Sequence, residues 1–279
     1  MAPQSYMKNM AANAEDERFQ TGAARYAAYL ETPEGRLRTD LAFANLQEFL
    51  PKGTGSLRAL DIGCGTGAIA VRLARLGIHV MCMDTSPQML EFATQAAREA
   101  GVAEKVILKQ GDAAQLANVF DAGSFDVILC HNLLEYVDDP VAVLSSASRT
   151  LRDSSSIISV LVRNRAGEVL KAGIKDGDLA AAEQNIAAEW ADESLYGGQA
   201  RLFAAESLRS MLAAASLAGT VDRGVRVISD YLPATVDRNN EYERIFELER
   251  KLGKRPEFVA VARYTQCMAQ RVAPMKHDT

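Results

Sequence analysis

One acid followed by three glycines at alternate positions, Asp61-x-Gly63-x-Gly65-x-Gly67, is the most chemically specific pattern in the chain. It follows the apolar run from Leu57 and precedes a helical pattern, so it predicts a strand, a glycine turn and a helix start. Glycine permits backbone angles and close approaches that a side chain would block, which lets a ligand lie against the main chain. The turn is therefore a candidate cofactor cradle, although its spacing departs from the G-x-G-x-x-G of dinucleotide sites. A second acid, Asp84, comes at about the interval after the last glycine at which nucleotide-binding βαβ units place a carboxylate for the ribose. A carboxylate fixed at a strand end can accept from both ribose hydroxyls. His131 ends a further apolar run and is expected to face the same cleft, because open α/β sheets bind ligands beyond the carboxyl ends of their strands.

The elements that must hold these residues can be read from periodicity and turn residues. Strands are predicted from Leu57 to the cradle and over 78–84, 106–108, 125–130, 157–162, 224–228 and 258–264. Helices are predicted over 68–76, from the Ser86-Pro87 cap through Ala93, and over 140–151, 203–217 and 239–252. Between 19 and 50 the apolar spacing suggests two helices broken at Pro33-Glu34-Gly35, a segment placed to cap the cleft. Residues 165–203 are polar, punctuated by glycine and too long for a plain connection, which suggests a substrate-covering insertion. The expected architecture is α/β, a doubly wound seven-stranded Rossmann-like sheet whose last strand is an antiparallel insertion beside the fifth. The expected organisation is a helical cap over 1–50, one binding domain over 51–270 and a tail over 271–279, with the first 18 residues uncommitted.

Composition excludes little and constrains the partners. Of the 279 residues 48% are hydrophobic and 24% charged, which is ordinary for a globular protein. The net charge of −5 provides no overall attraction for nucleic acid, although a local basic patch can exist within it. No apolar run approaches a membrane span and the amino terminus lacks a secretory layout, so no membrane partner and a cytoplasmic location are expected. The four cysteines form no C-x-x-C pair, which argues against a metal site and favours buried thiols. Nothing in the sequence bears on the oligomeric state.

The cradle resembles the first motif of the class I S-adenosylmethionine (SAM) methyltransferases. In that motif the leading acid, here Asp61, serves the methionine amino group, and the turn lies under the sugar and sulfonium; a carboxylate at the place of Asp112 meets the adenine amino group. A narrower resemblance, to the tRNA 5-carboxymethoxyuridine methyltransferases, spans roughly residues 19–270. It is carried by Gly35-Arg36-Leu37-Arg38, by the cradle and by Cys82-Met83-Asp84-Thr85-Ser86-Pro87-Gln88-Met89. His131-x-x-Leu134-Glu135-Tyr136-Val137, Val225-Arg226-Val227-x-x-Asp230-Tyr231-Leu232 and Glu247-Leu248-Glu249 complete it. By position the resemblance implies that Arg38, Gly63, Cys64, Asp84, Asp112, Ala113 and His131 contact SAM, with Gly65 and Gly67 in the same turn. Arg38 is expected to reach the methionine carboxylate by a two-point guanidinium contact. The family esterifies a carboxylate on a modified wobble uridine, leaving S-adenosyl-L-homocysteine. Two positions depart from it: residues 182–193 are acidic where family members carry a lysine-rich run, and Ser229 replaces a histidine. Phosphate neutralisation dominates RNA affinity, so an acidic insertion opposes it. The expected partner is accordingly tRNA or a small-molecule acceptor, with a SAM-binding module without catalysis as a third reading. A carboxylate nucleophile needs orientation rather than a base, for which Arg163, Arg226 and Tyr231 are candidates. An amine or phenol would need a base, for which His131 is the candidate.

Overall fold

A computed structural model describes residues 18–19 and 21–272; all but the last of the 18 uncommitted first residues and most of the expected tail lie outside that range. A first helix α1 (residues 21–30) leads into α2 (Pro33–Gln47), β1 (Arg58–Ile62), α3 (Ala68–Arg75) and β2 (His79–Asp84). Then come α4 (Pro87–Glu99), β3 (Val106–Gln110), α5 (Leu116–Val119), β4 (Val127–His131), α6 (Pro140–Thr150) and β5 (Ile157–Arg163). The next stretch holds α7 (Arg165–Leu170), a π-helical turn over Lys171–Lys175, α8 (Leu179–Asn185) and the hairpin strands β6 (Trp190–Asp192) and β7 (Gln199–Arg201). The chain closes with α9 (Ala205–Ala214), β8 (Leu217–Val225), α10 (Tyr242–Leu252), α11 (Pro256–Val259) and β9 (Tyr264–Arg271).

Seven strands form one sheet in the order β3-β2-β1-β4-β5-β9-β8. The first five are parallel, and β9 lies antiparallel between β5 and β8, as the sequence suggests. The central strands are buried on both faces, which is why they read as nearly continuous apolar runs. Leu60, Ile62, Ile128 and Val160 join a core with α6 and α9, while Ala59, Val80, Val127 and Leu129 join a core with α3 on the opposite face. A third cluster sets Leu37, Leu41 and Ala42 of α2 against Leu161, Val225 and Tyr264, so α2 sits on β5, β8 and β9. Sequence-local caps start the helices: Thr32 accepts from the Gly35 N–H, Ser86 from the Met89 N–H and Asn164 from the Ala166 N–H.

Two strand boundaries differ from the expected ones. The strand expected over 224–228 runs over Leu217–Val225 and stops at Arg226, whose φ of 62° lies in the left-handed region that a strand cannot contain. The strand expected over 258–264 begins only at Tyr264; Pro256 opens the short helix α11 instead. A short apolar run does not distinguish helix from strand, and β9 itself carries the buried polar residues Thr265 and Gln266, which interrupt its apolar pattern. Gln266 is satisfied where it sits, accepting from Asn45 Nδ2 at 3.0 Å and donating to the Ala42 carbonyl and Ser159 Oγ, each at 3.0 Å.

Candidate active site

The strand order reverses between β1 and β4, and open α/β sheets leave a ligand crevice at such a switch point. A cleft of about 740 Å³ opens there, inside the roughly 300–1,000 Å³ range of small-molecule sites. The cradle hangs from the end of β2. Gly63 and Cys64 both donate their N–H to the Met83 carbonyl, at 2.8 and 3.0 Å. Gly65 N–H donates to Asp84 Oδ2 at 2.8 Å, and Asp84 Oδ1 accepts from the Ser86 N–H at 2.9 Å. Burial pushes the Asp84 carboxyl up from its ordinary value, against the lowering effect of these backbone donors. Gly63, Gly65 and Gly67 all take positive φ, 68°, 52° and 73°. A side chain at Gly63 would stand 3.0 Å from Leu133 Cδ1, and Gly63 and Gly65 line the cleft. Gly67 serves a different contact: a Cβ there would meet Ala93 Cβ at 2.9 Å, so this glycine lets α3 approach α4.

Asp61 is only 4% exposed and accepts no hydrogen bond among the described residues. Burial, and then the nearby Asp84 charge, push its carboxyl up to about 7. It lies in a smaller hollow with Cys64 that shares Tyr26, Arg38, Gly63 and His131 with the main cleft. A carboxylate buried without a partner suits a cationic ligand group. At the β3 end Asp112 and Ala113 line the cleft; Asp112 Oδ1 accepts from the Ala114 N–H at 2.8 Å, and the rest of its side chain stays exposed. His131 lines both hollows, with Nε2 2.7 Å from Ser159 Oγ. Burial, and then the Arg38 charge, push its imidazole down to about 3, which keeps it uncharged at neutral pH and makes it a weak base.

A roof forms from α1 and the loop after β6. Tyr26 stacks on Tyr196 with ring centres 5.5 Å apart, and Phe19 meets Tyr136 and Tyr196 edge-on at 5.3 and 5.0 Å. Arg25 donates to the Ser194 carbonyl at 3.2 Å and Arg18 to the Gly197 carbonyl at 3.1 Å. The insertion thus reaches the amino-terminal helix across the cleft.

The β5, β9 and β8 end of the cleft gathers four buried guanidiniums, those of Arg38, Arg163, Arg226 and Arg263. Glu168 Oε2 accepts from Arg163 at 2.8 Å and from Arg263 at 2.6 Å; burial opposes its ionisation, but those two cations bring it down to about 2. Glu193 accepts from Arg163 at 3.0 Å. Asp230 takes Arg226 Nε at 2.8 Å and lies 3.3 Å from Arg263 Nε, while Arg226 also donates to the Tyr29 hydroxyl at 2.8 Å. Glu168, Glu193 and Asp230 thus pair with Arg163, Arg226 and Arg263, while Arg38 meets no carboxylate among the described residues; Lys175 stands on the same cleft wall, as does Lys171, which is itself paired with Glu168 and Asp176. The segment carrying Arg226 is clamped by Glu249, whose carboxylate accepts from the N–H groups of Val227, Ile228 and Ser229 at 2.6, 2.9 and 2.7 Å.

Of the residues singled out in the sequence, Arg38, Gly63, Gly65, Asp84, Asp112, Ala113, His131, Arg163 and Arg226 line the main cleft, and Asp61 and Cys64 the adjoining hollow. Tyr231 is not brought to the cleft: its hydroxyl donates to the Gly167 carbonyl at 3.5 Å, and burial pushes its phenol up to about 12. Sequence reading missed Arg263, Glu168, Asp230 as a partner of Arg226, and Tyr264. It also missed the inward use of the acidic insertion, since Glu193 turns into the cleft to meet Arg163 and the Tyr136 hydroxyl. Among the described residues no helix is long and apolar enough to cross a membrane, and no group of three or more His, Cys, Asp or Glu could hold a metal.

The methyltransferase domain family matches residues 60–159, which run from within β1 through the cradle to within β5. The fold is also that of a SAM-dependent methyltransferase from Thermotoga maritima described as a possible histamine N-methyltransferase. The two align at a TM-score of 0.63 and 17% identity over 92% of this chain and 99% of that one. The chain is a SAM-dependent methyltransferase of the class I fold, and SAM is its cofactor. It is similar in particular to the tRNA 5-carboxymethoxyuridine methyltransferase of Escherichia coli (strain K12), 27% identical over 266 residues that cover 92% of this chain and 97% of that protein. Over a shorter 114 residues it is 34% identical to the ubiquinone biosynthesis O-methyltransferase of Xanthomonas axonopodis pv. citri (strain 306), covering 40% of this chain and 46% of that protein.

Proposed function

We propose that this enzyme methylates a carboxylate oxygen, and that the carboxylate is borne by a modified wobble uridine in tRNA. The observation that carries the proposal is the cluster of the buried Arg163, Arg226 and Arg263 guanidiniums, with Lys175 beside them, on the wall of the cleft that the cradle also lines. The likeness along nearly the whole chain to the Escherichia coli enzyme supports the tRNA acceptor. The cradle residues fit SAM: Asp84 would take the ribose hydroxyls, Asp112 and Ala113 the adenine, and the unpartnered Asp61 the methionine ammonium. Arg38 has one nitrogen on the Tyr26 hydroxyl at 2.8 Å, leaving the other edge of its fork for the methionine carboxylate. In this reading α1 and α2 cap the cofactor, and the insertion over 165–203 covers the acceptor. Cys64 and His131 would wall the cofactor, and Gly67 would hold the cradle's shape from behind.

When bound, SAM supplies a methyl group on a sulfonium, already activated for transfer and leaving S-adenosyl-L-homocysteine. The protein's task is then to position a nucleophile, and positioning accounts for much of the rate in such reactions. A carboxylate is ionised at neutral pH and needs no base, which agrees with a His131 too weakly basic to remove a proton. Arg163 and Arg226, held by Glu168, Glu193 and Asp230, are oriented to draw the anion in without collapsing onto it.

Incubation with labelled SAM and tRNA bearing 5-carboxymethoxyuridine tests the acceptor. The label is expected in the tRNA, at a rate that falls steeply as salt rises, because phosphate contacts release counterions. The free nucleoside should be methylated with little salt dependence. Label confined to small carboxylates, with tRNA unmodified, would show that the acidic insertion has turned the cleft to small molecules.

A further inference from the structure

We propose that the hydroxyl of Tyr264 is the donor that grips the acceptor's carboxylate, holding one oxygen while leaving the other free to attack. This rests on the carboxylate reading above and adds the residue that orients the acceptor. Tyr264 opens β9, paired with Arg163 on β5 and with Val225 on β8, so it stands between the two arginine-bearing strand ends. Its ring centre lies 5.7 Å from the Arg38 guanidinium, 5.9 Å from that of Arg226 and 5.8 Å from that of Arg263. It is 8% exposed, lines the cleft, and its hydroxyl makes no hydrogen bond with any described residue. Arg163, Arg226 and Arg263 are tied to Glu168, Glu193, Asp230 and Tyr29, and Arg38 to the Tyr26 hydroxyl, whereas the phenol they surround has no partner among the described residues.

The division of labour follows from the chemistry. A guanidinium clamped on both oxygens would pin a carboxylate and drain its nucleophilicity. A single phenol donor orients it through one oxygen. The transfer forms one carboxylate O–C bond and breaks one S–C bond of SAM; the negative charge of the carboxylate and the positive charge of the sulfonium vanish together. No proton moves, so Tyr264 keeps its own throughout. Burial pushes the Tyr264 phenol up, but Arg38, Arg226, Arg263 and Arg163 together outweigh it and leave it below the ordinary phenol value. The Tyr264 anion in turn disfavours ionisation of the neighbouring Tyr29 and Tyr136 phenols, which burial holds above their ordinary value. An acceptor carboxylate seated beside Tyr264 disfavours its phenolate and so drives its ionisation to higher pH.

Two measurements on Tyr264→Phe, which keeps the ring and removes only the hydroxyl, test this. The first is an ultraviolet titration of tyrosinate in the complex with S-adenosyl-L-homocysteine, with and without methoxyacetate as the probe. The wild-type enzyme should show a step below the ordinary phenol range that is absent from the variant and moves to higher pH when methoxyacetate is added. A step that methoxyacetate does not move would overturn the proposal. The second is kinetic: kcat/KM for the carboxylate should fall by about tenfold or more in the variant, the loss of one hydrogen bond to a charged group, while SAM affinity stays the same. Wild-type activity should decline at alkaline pH as Tyr264 ionises, and the variant should lack that decline. A wild-type rate that instead rises through this ionisation, and is flat in the variant, would make Tyr264 a base and refute the donor role. Should tRNA prove not to be a substrate while methoxyacetate still moves the Tyr264 step, the tRNA reading fails and the carboxylate subsite stands.

Discussion

Asp84→Ala is expected to weaken SAM binding by about 3 kcal/mol, on the order of a hundredfold in Kd, while the protein remains folded. Two ribose hydroxyls would lose a charged acceptor at the end of β2, and the structure adds a second loss. Asp84 also accepts the N–H groups of Gly65 and Ser86, so its removal loosens the cradle at Gly65, while the Met83 carbonyl still holds Gly63 and Cys64. Asp84→Asn retains one acceptor oxygen and should fall between the two. Because burial raises the Asp84 carboxyl, binding should also weaken as pH drops through that raised value, where the carboxylate becomes a donor. Calorimetry checks all three, and an unchanged Kd in Asp84→Ala would remove Asp84 from the cofactor site.

Arg226→Lys is expected to lower kcat/KM for the carboxylate by on the order of a hundredfold with SAM affinity unchanged, because a point charge cannot replace the planar fork. The guanidinium reaches both Asp230 and Tyr29 while facing the cleft, a span that a single ammonium cannot cover. Arg226→Ala should abolish transfer, but it also leaves Asp230 with Arg263 as its remaining partner. Breaking a buried pair in this way costs about 3–5 kcal/mol of stability. The lysine variant therefore separates chemistry from folding. Parallel losses of SAM affinity and of turnover would place Arg226 on the cofactor side instead.

The cradle side of the candidate site was legible because its information is local. Asp61, Gly63 and Gly65 sit within one strand-to-helix turn, and Asp84 follows from the length of one βαβ unit. The arginine-lined side was not, because it converges from β5, β8, β9 and α7, which only tertiary pairing brings together. Tyr264 was assigned to a strand end, but the run from Phe258 to Ala262 that seemed to lead into it turns back after Pro256. Gly167 lets that turn approach, since a side chain there would stand 2.3 Å from the Ala262 carbonyl. Glu249 entered the sequence reading only within the Glu247-Leu248-Glu249 segment, and its clamp on three successive N–H groups has no counterpart in sequence spacing. Charge counting over the acidic insertion likewise could not show that Glu193 faces inward onto Arg163.

The chemical stability of the product tests the central claim most directly. A methyl ester is cleaved by mild alkali, whereas N-methyl, C-methyl and ether O-methyl groups survive it. After transfer from labelled SAM to tRNA bearing 5-carboxymethoxyuridine, brief alkali is predicted to release the label quantitatively as methanol. Label that stays on the nucleoside after the same treatment would contradict carboxylate methylation and return the arginine cluster to a purely structural role.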